Sequence, residues 1–184
     1  RGANQDNCVA SKFDGVDDNL VGSFSTPNSK TVTFSLVYKH LNSSILLFTL
    51  FGGYTEVSTS SDRLVIRMAN SSASLVIEYK STIASKFVIG VEYHMTFSFD
   101  LTDALKTRLI VNGFSYTMDK NVFINDFPDM SRTTANIGLS YLSQYGEFYF
   151  DTNYIDLATN NPFWDSDTNK PIPVRTAMAN LGSN

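Results

Sequence analysis

Apolar and polar residues alternate with a period of two through most of this chain, and that pattern constrains the fold more than any other feature. Thr31-Val32-Thr33-Phe34-Ser35-Leu36-Val37-Tyr38 alternates for eight residues. Successive side chains of a strand point to opposite faces, so Val32, Phe34, Leu36 and Tyr38 share one face and Thr31, Thr33 and Ser35 the other. Tyr93 to Asp100 repeats the pattern, with Tyr93, Met95, Phe97 and Phe99 on one side and His94, Thr96 and Ser98 on the other. Arg63–Met68 and Ser74–Tyr79 are two further strands, and the turn-rich link Asn70-Ser71-Ser72 joins them as a hairpin. Asn112-Gly113 between Leu105–Val111 and Phe114–Met118 is the strongest turn signal, because both residues accept the positive φ that a two-residue hairpin needs.

The closing strands are expected at Thr134–Leu139 and Glu147–Leu157, with Asp119–Thr133 as a long loop. Helical signal is confined to one turn at Leu101–Leu105 and a short helix over Pro173–Leu181. Many short strands with a turn signal about every ten residues describe an all-β, two-sheet antiparallel sandwich. We expect a single domain over residues 1–184, with a core over about 9–157. The segment 158–184 should lie on the sandwich or on a neighbour, pinned by Phe163 and Trp164, the one tryptophan.

Composition agrees with this architecture and excludes several functions. In 184 residues, 14 Phe and 9 Tyr supply side chains suited to pleated surfaces. The formal net charge is −4 with no basic block, which gives nucleic-acid binding no electrostatic support. The longest apolar stretch, Ile45–Phe51, is strand length and is interrupted by Thr49, so no membrane span is expected. Cys8 stands alone, so an internal disulfide is impossible; it reads as a plain thiol. The chain begins at Arg1 with neither an initiator methionine nor a signal peptide, as a trimmed or partial product would.

An ordered set of short motifs runs along these strands: Phe13-Asp14-Gly15-Val16-Asp17-Asp18, then Tyr93-His94 leading to Asp100, Leu109–Gly113, Asn136-Ile137-Gly138 and Glu147–Asp156. Their order resembles the laminin-G-like, concanavalin-A-like jelly-roll superfamily over about Val9–Leu157. The C-terminal run narrows the likeness. Glu147–Leu157, Asn161-Pro162-Phe163 and Asn169-Lys170-Pro171-Ile172-Pro173-Val174 are similar to the ending of laminin-G-like proteins encoded among the structural genes of tailed bacteriophages. That ending runs from a Tyr-x-Asp-Leu strand into a short helix holding a buried Phe, then a Gly-Lys-Pro turn. Here Asn169 replaces the Gly, and Asn also tolerates the left-handed conformation.

Chemistry-bearing residues are sparse. Two histidines, His40 and His94, are too few for a histidine metal cage. His94 should order neighbouring backbone by a hydrogen bond, an arrangement the resemblance also implies, and His40 is read as a loop residue. No serine elbow is visible for a Ser-His-Asp site. Glycanase-like carboxylate pairs would be Glu56 with Asp62, Asp151 with Asp156, or Asp14 with Asp17. Asp151 and Asp156 are five apart, which puts them on opposite faces of a regular strand.

Calcium needs clustered oxygens, which Asp17-Asp18-Asn19 or Asn125, Asp126 and Asp129 could supply, Asp17 and Asp18 being the better set. The same residues are also good turn formers through side-chain-to-backbone hydrogen bonds. Tyr54, Tyr141 and Tyr145 lie near Gly- or Ser-rich turns and are candidates for stacking on sugar rings, or else rim-packed tyrosines. Asn42-Ser43-Ser44 and Asn70-Ser71-Ser72 match a glycosylation pattern that chance supplies in so Ser- and Asn-rich a chain.

The resemblance implies a non-enzymatic virion protein of a tailed phage: a capsid decoration, head-fibre or tail-associated protein on the particle surface. Its partners would be other virion subunits, whether copies of itself or capsid and tail proteins, contacted through Arg1–Ala10 and Asn160–Asn184, and host surface glycans as a further ligand. The alternative is a lectin-like carbohydrate-binding module of a surface or adhesion protein, with or without calcium.

Overall fold

The structure, a computed structural model, describes residues 11–14, 20–23, 26–42, 44, 46–82, 87–137 and 142–181. The strands are β1 (Ser11–Asp14), β2 (Leu20–Ser23), β3 (Thr31–Lys39), β4 (Leu46–Leu50), β5 (Thr55–Ser60), β6 (Arg63–Ala69), β7 (Leu75–Ser81) and β8 (Glu92–Asp100). They continue as β9 (Arg108–Val111), β10 (Phe114–Tyr116), β11 (Met118–Phe123), β12 (Thr134–Ile137), β13 (Leu142–Asp151), β14 (Trp164–Asp165) and β15 (Lys170–Pro171), before the helix α1 (Val174–Leu181). One large sheet has the order β1-β13-β3-β8-β9-β10, the other β11-β7-β6-β5-β4-β12-β2, and all their pairings are antiparallel. This is an all-β jelly-roll sandwich, as the period-two pattern predicts.

The apolar halves of the alternating strands meet between the sheets. Phe34 on β3 and Phe97 on β8 are cross-strand partners with ring centroids 5.4 Å apart. Phe34 also meets Phe48 of the opposite sheet edge-to-face at 5.3 Å. Tyr38, Leu36, Met95 and Phe99 are all fully buried. Each large aromatic ring in such a core contributes burial of some 150–250 Å², with geometry-dependent ring pairing on top.

The Asn112-Gly113 turn forms as expected, with φ of 49° and 81°, and joins β9 to β10. Asn70 organises the β6–β7 turn: its Oδ1 accepts from Ser72 and Ser74 N–H.

Several expected boundaries move. Phe114–Met118 is not one strand. The chain breaks at Thr117 and crosses between sheets, and β11 then pairs with β7 through Phe123. The expected loop from Asp119 therefore begins as strand, because Phe123 stacks on Tyr79 at 6.5 Å. Ala104–Lys106 is a 3-10 turn, N-capped by Asp103 accepting from Leu105 N–H, and β9 starts only at Arg108. β13 begins at Leu142 and ends at Asp151, so Thr152–Leu157 has left the strand. The helix expected over Pro173–Leu181 is present as α1.

Candidate functional site

The outer, polar face of the first sheet is where the C-terminal segment makes a site. The β3–β8 register sets Thr33 beside Ser98, Ser35 beside Thr96 and Val37 beside His94. Small hydroxyl side chains leave a shallow trough with hydrogen-bonding groups along its floor. The chain leaving β13 lies in that trough. Thr31 Oγ1 donates to Thr152 C=O at 2.5 Å, Thr33 Oγ1 donates to Asn153 C=O at 2.8 Å, and Ile155 N–H donates to both Thr33 Oγ1 and Ser98 Oγ at 3.1 Å. Thr33, Ser35, Thr96 and Ser98 are thus all buried, with their hydroxyls satisfied by each other or by backbone.

Beyond Leu157 the segment turns back. Asp156 caps the turn through Ala158 N–H, and Asn161 Oδ1 accepts from Phe163 N–H at 3.2 Å. That turn drops Phe163 onto Tyr149 with ring centroids 4.8 Å apart, forming a small second core with Ala177 of α1. β14 and β15 close as a hairpin with Asn169 at φ 54°, the left-handed conformation expected where Gly is usual in the resembling proteins. Glu147 on β13 accepts from Val174 N–H at 2.6 Å and so caps α1. The buried phenylalanine expected within a short helix instead sits in the turn before β14.

Trp164, pinned as expected, lies on His94 with ring centroids 5.7 Å apart and planes 20° from parallel. Its indole edge covers Gly113, where an added Cβ would overlap Nε1. His94 is not the backbone-ordering residue expected. Its Nε2 bonds the Ser35 hydroxyl at 2.8 Å, its Nδ1 has no partner among the described residues, and Asn112 Oδ1 takes its backbone N–H. Burial holds the imidazole pKa down to about 4, so it is neutral beneath the indole. An unpaired lone pair costs less than an unpaired N–H, which favours the tautomer donating from Nε2 to Ser35.

Trp164 separates two open clefts. One, about 300 Å³, has Ile110 and Leu157 as apolar lining, with Thr159, Asn160 and Ser166 around the indole. The other, about 250 Å³, lies toward α1 and includes Asp165 and Asn180. The hydroxyl of Thr168 holds the Asp165 carboxyl below its usual range, with the backbone N–H groups of Asp167 and Thr168 helping. Among the described residues, the larger cleft has no charged side chain in its lining. An aromatic surface bordered by amides and hydroxyls offers dispersion contact to C–H faces and paired donors and acceptors to hydroxyl groups.

The residues singled out in the sequence fall elsewhere. Tyr54 is half-buried. The Arg132 guanidinium lies 4.1 Å from its ring centroid and donates to its hydroxyl, so that ring face is occupied. Tyr141, Asp17, Asp18 and Asn19 lie outside the described residues, as does Cys8. Tyr145 pairs through its backbone with Ser11 and Tyr38, and its side chain is likewise outside the described part.

Asn125, Asp126 and Asp129 do not form one oxygen cage. Asn125 Oδ1 accepts from Lys30, Asp126 from Asn70 and Phe127 N–H, and Asp129 from Ser131 and Arg132. Among the described residues no group of three or more His, Cys, Asp or Glu is arranged for a metal.

The carboxylate pairs are also separate. Glu56 accepts from Ser58 and faces Arg67, Asp62 faces His40, Asp151 accepts from Tyr149, and Asp156 caps its turn. Asp14 lies on β1, with Asp17 outside the described residues. His40, expected in a loop, follows β3 directly but is fully buried, between Tyr38 at 3.3 Å and Asp62 at 3.1 Å.

Trp164, expected only to anchor the C-terminal segment, is also an aromatic beside a polar turn, like Tyr54, Tyr141 and Tyr145, since Asn160-Asn161 precede it and Ser166 follows.

This architecture is that of the laminin-G-like, concanavalin-A-like jelly rolls, and solved structures share it. The chain is similar to domains LG4-5 of the mouse laminin α1 chain, with TM-score 0.57, 13% identity, and 83% of this chain and 44% of that one covered. It is equally similar to a heptameric SAP-like pentraxin from Limulus polyphemus, with TM-score 0.57, 13% identity, and 83% and 77% covered. A Bacteroides ovatus protein assigned to carbohydrate binding matches with TM-score 0.57, 12% identity, and 83% and 47% covered. The chain therefore spans less than half of the laminin and Bacteroides chains. No protein-family model and no curated sequence matches it.

Proposed function

We propose that this protein is a non-enzymatic, lectin-like binding module that seats a saccharide in the larger cleft beside Trp164. One observation carries this reading: the C-terminal segment places an indole, Leu157 and an uncharged rim of Thr159, Asn160 and Ser166 against Ile110 of β9 around an open cleft of about 300 Å³. That lining suits a neutral polyhydroxylated ring and has no acid or base to attack it. The likeness of fold to a protein assigned to carbohydrate binding supports the reading. A glycan array run with and without chelator tests it. Saturable binding that falls at least tenfold in Asn160→Ala supports it. Silence on the array, or binding indifferent to that substitution, overturns it. Loss of signal on chelation would show that binding also requires calcium.

A second reading, virion protein of a tailed bacteriophage exposed on the particle surface, draws on the closing motif. The left-handed Asn169 and the Lys170-Pro171 strand that follows it support this reading, whereas Phe163 is buried in a turn and not in the short helix of that ending. The two readings are compatible, since a particle protein can grip host glycans. Mass spectrometry of purified particles tests the second, and absence of the protein from them refutes it.

A further inference from the structure

A second cleft, carrying two cations, lies further along β9 from the saccharide cleft. On β9, Leu109 and Val111 point into the core, so Arg108 and Ile110 face outward, two residues or about 7 Å apart along the strand. Ile110 lines the cleft at Trp164. Arg108 lines another, about 220 Å³, at the free edge of β10 where the chain crosses between sheets, together with Ser115, Thr117 and Lys120. Ser115 is the cross-strand partner of Ile110, so one strip of strand carries lining residues of both clefts.

The two cations are anchored on backbone carbonyls. Arg108 Nη1 donates to the carbonyls of Leu105 and Thr107 at 2.7 and 3.0 Å, and Lys120 Nζ donates to the carbonyl of Ala104. Neither makes an ion pair with a described carboxylate, whereas nearby Lys106 is matched by Asp100 and Arg63 by Asp119. Burial lowers the Lys120 pKa and the Arg108 charge lowers it further, while the Asp103 carboxylate acts more weakly in the opposite sense. In a chain of net charge −4 with 18 acidic residues, neither cleft has an acid among its described lining residues. Like charges anchored together on neutral carbonyls favour an anion between or beside them.

We propose that the two clefts form one bipartite site for an acidic oligosaccharide, with a neutral sugar unit beside Trp164 and a carboxylate or sulfate at Arg108 and Lys120. This rests on the saccharide reading above and adds the charge class of the ligand. The guanidinium supplies directional donors, the ammonium a point charge, and Ser115 and Thr117 hydroxyl donors.

Calorimetric titration of the whole chain tests it with matched pairs: hyaluronan and polygalacturonate tetrasaccharides beside their carboxyl-reduced forms, and a heparin tetrasaccharide beside its desulfated form. At least one acidic member binds tenfold or more tightly than its neutral counterpart at low salt, and the margin shrinks at 0.5 M salt, where screening is over ~4 Å. Arg108→Gln/Lys120→Met removes that margin and leaves the affinity for the neutral form in place. The wild-type comparison stands even if the double variant folds poorly. Equal binding of acidic and neutral forms, or a margin that survives the double substitution, overturns the bipartite site while the saccharide reading stands. Binding of neither form overturns both.

Discussion

Gly113 shows how one residue couples the fold to the site. It sits at φ 81° in the β9–β10 turn and lies under the edge of the Trp164 indole. Gly113→Ala adds backbone strain and drives a methyl group into that ring. We expect a loss of about 2–4 kcal/mol, measured by urea denaturation. Trp164 is the one tryptophan, so its fluorescence reports the displacement directly.

His94 gives a second residue-level prediction. Its folded pKa of about 4 lies below the usual 6.5, so the unfolded chain binds the proton more readily. Stability from this group is complete above pH 6.5, falls as the pH drops toward 4, and is lost below it, by up to about 3 kcal/mol. Denaturation midpoints between pH 7.5 and 4.5 should decline in the wild type and flatten in His94→Gln. An unchanged slope in that variant would place the titration elsewhere.

At the scale of elements, the segment from Thr152 to α1 is a lid sealed by hydrogen bonds over one sheet face. Phe163 is fully buried on Tyr149, so Phe163→Ala should cost about 3–5 kcal/mol of docking free energy. Hydrogen exchange will show whether that loss is local: the Ile155 and Ala177 amides lose protection, while the β3 and β8 amides keep theirs.

This element also marks the limit of what the sequence makes legible. The alternation of Val32, Phe34, Leu36 and Tyr38 reveals a strand with an apolar face, because the period of two is local. The facing Thr33, Ser35, Thr96 and Ser98 look alike whether water or another stretch of backbone meets their hydroxyls. The backbone partners of Thr33 and Ser98, at Asn153 and Ile155, lie some 120 residues from Thr33, and no local pattern carries that pairing. The same holds for Phe123, whose strand appears only once Tyr79 is beside it. Trp164 is legible as an anchor, but the clefts on either side of it arise from β9, the β9–β10 turn and α1 together.

At the scale of the whole molecule, the two sheets meet their surroundings differently. The outer face of the second sheet carries an open cross-strand row, Glu56, Arg67 and Glu78. Arg67 bonds Glu78 at 2.8 Å and faces Glu56 at 3.6 Å. Such exposed pairs contribute little to stability and suit a solvated surface. The first sheet is covered, and its cover shapes the clefts. Function is therefore expected on the covered side, at the junction of β9, the β9–β10 turn and β14.

A titration of the isotopically labelled chain, followed by amide and indole resonances, tests this most directly, using whichever tetrasaccharide binds in the matched panel. The account predicts saturable shifts of the Trp164 indole N–H and of the Ile110 and Asn160 amides, with β5–β7 unmoved and the sugar recovered intact. Saturable binding that leaves the indole and β9 unchanged, or a cleaved sugar, would contradict it.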